Sequence, residues 1–130
     1  MSDQQSSNAE IAEAWIACTR RCRHPDGQSH VRDDDPAWWA VDTVTDLEFT
    51  DPVRALEVAF VVTRQSSDGW VLENLGAGPL ETLLSRDPTF LDAIMIEAAS
   101  NPNLLEALGS VWKNEMPDET WAVVRHLTGR

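Results

Sequence analysis

Proline repeatedly follows a helix-capping residue in this chain, and that pairing fixes where helices can begin. Asp35-Pro36, Asp51-Pro52, Asp87-Pro88 and Asn101-Pro102 each put a side-chain acceptor at the cap and proline at the first helical position. There the missing N–H costs nothing, because that N–H has no partner inside the helix anyway. Gly78-Pro79 with Glu81 in the first turn is a variant. So is Met116-Pro117, whose following Asp118 and Glu119 complement the helix dipole. Proline inside a helix or a central strand removes a hydrogen bond. These sites therefore cut the chain into many short helical segments.

Apolar spacing between the cuts agrees. Ser7 and Glu10 read as a capping box. Ile11, Trp15, Cys18 and Cys22 then fall on one helical face. That helix is expected to stop before His24-Pro25-Asp26-Gly27, a turn cluster, and residues 28–34 read as a loop. Trp38, Val41, Val44 and Leu47 make the next stripe. From Pro52 to Thr63 the chain is apolar almost all round, interrupted by Arg54 and Glu57. Its β-branched residues favour a strand over 58–63, but a long run without a breaker favours a helix, and one apolar on most sides is central. Short helices follow around Trp70 to Leu75, ending near Gly76, and then around Leu80 to Leu84 and Phe90 to Ala98. Two more gather around Leu104 to Trp112 and Trp121 to Leu127. No Asn-Gly hairpin signal occurs.

The expectation is an all-α chain: residues 1–8 as a polar tail and 9–130 as one domain of about seven or eight short helices packed as hairpins. The capping pairs lie 14 to 16 residues apart. A solenoid-like stack and an irregular helical domain both fit that spacing. The length of 130 residues suits one domain.

Twenty-two acids against ten bases leave a net charge of −12. Direct binding to nucleic acid or an anionic membrane needs a basic face, so neither is expected. No apolar run approaches the ~20 residues of a membrane span. The first eight residues lack the apolar stretch of a secretion signal, and two cysteines make no disulfide framework. A cytoplasmic protein is the expectation.

Four residues have the chemistry of a zinc site: Cys18, Cys22, His24 and His30. Both cysteines also lie on the apolar stripe, where a thiol packs as a small hydrophobe. A disulfide is disfavoured, since Cβ atoms four apart on a helix sit ~5–6 Å from each other. Arg20, Arg21, Arg23 and His24 concentrate positive charge at the end of the first helix, where cations offset the dipole. Between Asp26 and Asp51, eight acids face Arg32 alone. No calcium-loop pattern orders them. They read as caps, as a solvated face, or as a docking surface for a basic protein.

Six tryptophans are many for this length, and most should be core. The neighbours Trp38 and Trp39 project about 100° apart on a helix, so one can stay exposed beside Asp33, Asp34 and Asp35. No nucleophile elbow or zinc-protease motif is present, and Gly76-Ala77-Gly78 is too short for a phosphate loop. Glu57 and Glu97, in apolar helices, are candidate general acids if burial raises their pKa values.

Leu75-Gly76-Ala77-Gly78-Pro79-Leu80-Glu81, Val111-Trp112 and Met116-Pro117-Asp118-Glu119-Thr120-Trp121 stand in order along the second half. In these elements the chain resembles a family of small bacterial helical proteins of unknown function. The resemblance implies an intracellular helical protein and brings no catalytic or ligand residues. Physically, Gly78-Pro79 reads as a helix start capped by Glu81, with Trp112 and Trp121 packing a terminal helix pair.

The leading functional expectation is a noncatalytic acidic module that binds a basic protein, as immunity proteins and antitoxins do by analogy. Its candidate face is Asp33, Asp34, Asp35, Trp38, Trp39, Asp42 and Asp46. No cofactor is expected. A small metal protein or enzyme using Cys18, Cys22, His24 and His30 is one alternative. A nucleic-acid mimic is another.

Overall fold

The computed structural model describes residues 6–23 and 34–129. Every element among them is helical: α1 (Asn8–Arg21), α2 (Trp38–Thr50), α3 (Pro52–Gln65), α4 (Gly69–Leu75), α5 (Glu81–Arg86), α6 (Phe90–Ala98), α7 (Pro102–Leu108) and α8 (Asp118–Thr128). A π-helical turn, Gly76–Leu80, joins α4 to α5. The three form one rod over residues 69–86, so seven helical rods pack together. None of the described helices is long and apolar enough to cross a membrane.

Local chemistry starts α1 and α3 as the sequence predicts. Ser7 Oγ accepts the Glu10 N–H at 3.1 Å, and the Glu10 carboxylate accepts the Ser7 N–H at 2.8 Å. Asp51 ends α2 and caps α3, accepting the Arg54 N–H, with Pro52 first in the helix. Asp68 caps α4 through the Trp70 and Val71 N–H groups. Gly129, at φ +73°, closes α8 in the left-handed conformation that glycine adopts freely.

Several expected starts differ. Asp87 and Pro88 precede α6, which begins only at Phe90, and the Asp87 carboxylate accepts the Thr89 N–H and hydroxyl in the turn before it. Pro117 likewise precedes α8, which begins at Asp118. The Asp35 carboxylate accepts the Ala37 N–H, and α2 begins only at Trp38. Arg21 draws that carboxylate toward α1, which keeps it off the first turn of α2. Asn101 precedes Pro102 but its side chain caps nothing; its amide donates to Thr63 Oγ1 at 2.7 Å and to Glu97 at 3.1 Å. A further difference is the helix expected to end near Gly76 and restart at Pro79, which instead runs through. The Glu81 N–H reaches the Gly76 carbonyl, five residues back. That wider turn accommodates the proline without breaking the rod.

Gly76 is required for contact, not for a break. A Cβ built on it would lie 1.9 Å from the Ala107 carbonyl oxygen, so backbone meets backbone where the rod crosses α7. Around that crossing Leu72, Leu75, Leu80, Leu83, Leu84, Leu104 and Leu108 are all fully buried.

The helices form one compact domain. α1 packs on α2, α3 and α4, while α7 packs on α3, α4, α6 and α8. These contacts between elements distant in sequence close the chain on itself, unlike a solenoid, where each unit meets only its neighbours. α3 is central by its partners, yet it is not apolar all round. Ala55, Leu56, Val58, Ala59 and Val62 are buried, Phe60 and Val61 are half-buried, and Val53 is exposed.

Candidate functional site

Helix α2 divides its side chains unevenly. Ala40, Val44 and Glu48 face the core at four-residue spacing. On the outside stand Trp39, 42% exposed, then Asp42, Asp46 and Phe49 at helical spacing, with Val53 beyond the corner. Two exposed carboxylates thus lie between apolar side chains. Arg86 from α5 stacks over the Phe49 ring at 4.3 Å and steadies that end.

The other predicted members of this face lie elsewhere. Asp33 falls outside the described residues, and Asp34 is exposed at the turn before α2. Asp35 is buried: Arg21 Nε and Nη2 both reach its carboxylate at 2.7 Å. Its role is to tie α1 to the start of α2. Trp38 is half-buried and lines a hollow with the cysteines. Phe49 and Val53 were not predicted. Counting ten residues on from Trp39 along one helical face would have found Phe49.

Glu48 was counted among the surface acids and is instead 7% exposed. Burial pushes its carboxyl up to about 7, with Arg86 pulling the other way. It sits under the outer face of α2, and its proton is lost in the neutral pH range.

The thiols follow the apolar-stripe reading. Cys18 and Cys22 are free and buried, and burial holds the Cys18 thiol up at about 12. They line a hollow of about 180 Å³ with Trp15, Trp38, Val41 and Asn74. His24 and His30 lie outside the described residues. Among the described ones, no three metal-binding side chains converge.

The arginines at the end of α1 have partners in the fold. Arg21 holds Asp35, Arg20 lies 3.6 Å from Asp68, and Arg23 stacks 5.5 Å from the centre of the Trp70 ring.

Neither candidate general acid has the surroundings that role needs. Glu57 is exposed. Glu97 receives both Arg64 Nε (2.8 Å) and Nη2 (2.6 Å), and that pairing holds its carboxyl below the usual carboxylate range, aided by Asn101. Both line an open hollow of about 470 Å³ between α3 and α6, with Phe60 and Ile96. Glu97 is thus a positioned anion rather than a proton donor.

The two elements of the second half meet in space. Glu81 caps no helix; its carboxylate accepts the Trp112 N–H at 2.9 Å and the Asn114 amide at 3.3 Å. Trp112, expected in the core, is 66% exposed. Trp121 is half-buried.

A family model described as a family of unknown function, DUF6869, matches residues 27–130. The chain belongs to that family. Its match includes α2, the 69–86 rod and the Trp112 connection, and begins after Cys18 and Cys22. No curated protein and no solved structure matches the chain.

Proposed function

We propose that this chain is a noncatalytic module that binds a basic protein through the outer face of α2. One observation carries the reading: Trp39, Asp42, Asp46 and Phe49 are exposed together along one rigid helix. An exposed indole is a frequent interface anchor, and carboxylates of one sign steer a cationic partner and select it. The chain's charge of −12 acts in the same direction over longer range. A partner with a basic active-site cleft, as targeted by immunity proteins and antitoxins, fits this chemistry.

The test is affinity capture from native cytoplasm at low and high salt. The wild type is compared with a Trp39→Ala, Asp42→Asn, Asp46→Asn triple variant. The reading requires a stoichiometric basic protein that is captured at low salt, released by high salt, and lost with the variant. Equal capture by both forms overturns it. A captured DNA-handling protein that weakens steeply with salt would turn it toward a nucleic-acid mimic. About one zinc per chain, lost with Cys22→Ser, would replace it by a metal protein.

A further inference from the structure

A third hollow, also away from the outer face of α2, opens between α4 and the connection from α7 to α8. Its volume is about 390 Å³, and Trp70, Glu73, Asn74, Ser110 and Trp112 line it. We propose that this groove receives a lysine or arginine side chain from a protein partner.

The walls are held in place before anything binds. Trp70 Nε1 donates to the Thr19 carbonyl at 3.0 Å, which fixes the indole against α1. Glu81 clamps the backbone beside Trp112. Val111, next to it, is buried. The close crossing at Gly76 and Ala107 sets the distance between the two sides. A fixed backbone therefore presents a large apolar ring to water, instead of letting it fold into the core.

The occupant follows from charge and from a contact already made. An indole face attracts cations through its quadrupole. Trp70 demonstrates this within the chain, since the Arg23 guanidinium lies over its ring. Glu73, exposed in the groove, adds a carboxylate to balance an incoming charge. An apolar side chain would leave Glu73 and the Ser110 hydroxyl uncompensated. A second copy of this chain would carry the same −12 toward it. A lysine or arginine side chain carries its charge at the tip of a flexible methylene stem, which can lie along the rings.

The inference rests on the protein-binding reading only in taking the partner to be a protein, and a peptide titration examines the groove without α2. The full chain, labelled at its indole nitrogens, is titrated with an acetylated, amidated glycine–lysine–glycine peptide. The same peptide with norleucine, a neutral stand-in for lysine, is titrated at equal ionic strength. The lysine peptide should move the Trp112 indole N–H resonance, and the norleucine peptide should bind about tenfold more weakly. Trp112→Ala and Glu73→Gln should each weaken the lysine peptide several-fold, and the α2 triple variant should leave it unchanged. Trp112→Phe keeps an aromatic face with a weaker quadrupole and should fall between. Equal binding of the two peptides, an unmoved Trp112 resonance, or full binding by Glu73→Gln overturns the proposal.

Discussion

Replacing Gly76 with alanine sets two effects against each other. Alanine is favoured over glycine inside a helix by about 0.8–1.0 kcal/mol. At Gly76, however, the new methyl would arrive 1.9 Å from the Ala107 carbonyl oxygen and 2.9 Å from its carbon. Ordinary contact needs about 3.4 Å or more, so α7 would have to retreat by over an ångström, and a backbone oxygen cannot swing aside as a side chain can. A gap of 0.5–1 Å already forfeits a quarter to a half of a dispersion contact. Leu104 and Leu108, both fully buried, lie on the helix that would move. Each contributes roughly 1.5–3 kcal/mol by burial, so losing a quarter to a half of both comes to about 1–3 kcal/mol. Residual crowding adds roughly the 1–3 kcal/mol typical of overpacking. With the helix preference of alanine subtracted, the expected net loss is about 1–5 kcal/mol. Gly78→Ala is the internal control: it lies two residues away in the same π turn, with nothing within 4 Å of its Cβ position. It should be neutral or stabilising by up to about 1 kcal/mol. Urea denaturation followed by tryptophan fluorescence measures both. If Gly76→Ala is as stable as Gly78→Ala, the backbone contact at Ala107 does not set the helix crossing.

Other consequences are as specific. Because burial raises Glu48 from 4.5 to about 7, the folded chain keeps a proton there that the unfolded chain has lost between those values. This group's contribution to stability should therefore fall as pH rises from about 4.5 and be fully lost above about 7. Glu48→Gln should remove that slope and exceed the wild type by about 1 kcal/mol at pH 8 in paired urea titrations; parallel curves at pH 5 and 8 would contradict it. Arg21→Ala removes the bidentate partner of a carboxylate that is 2% exposed, and should cost about 2 kcal/mol. Arg21→Lys should recover only part of this, because a single ammonium cannot grip both oxygens; full recovery would show that charge alone suffices. Phe60→Ala should cost about 2 kcal/mol by thermal or urea unfolding, below the 3–5 kcal/mol of a fully buried phenylalanine, since the ring is half-buried at a groove. A loss above about 3 kcal/mol would place the ring in the core after all.

Helix identity was readable because its causes are local. The capping box at Ser7, the Asp51-Pro52 corner and the acid-rich start of α8 act within a few residues of themselves. So was the burial of Cys18 and Cys22, which share a face with Ile11 and Trp15. The errors fall where a distant residue competes for a side chain. Asp35 could cap α2, but Arg21 takes its carboxylate from fourteen positions away. Glu81 could cap a helix, but Trp112 lies thirty-one positions on and offers it an unpaired backbone N–H. Glu97 could be a proton donor, but Arg64, thirty-three positions earlier, holds it ionised.

Composition and periodicity by themselves established an all-helical chain with an acidic exterior, since hydrogen bonds inside a helix and the alternation of apolar residues depend on near neighbours alone. Which acids stay at the surface, which tryptophan is left in water, and whether glycine and proline break a helix or let two cross were settled by the packed fold. Those outcomes depend on what stands opposite each residue. A chain read in order carries no measure of that until helices far apart in sequence are pressed together.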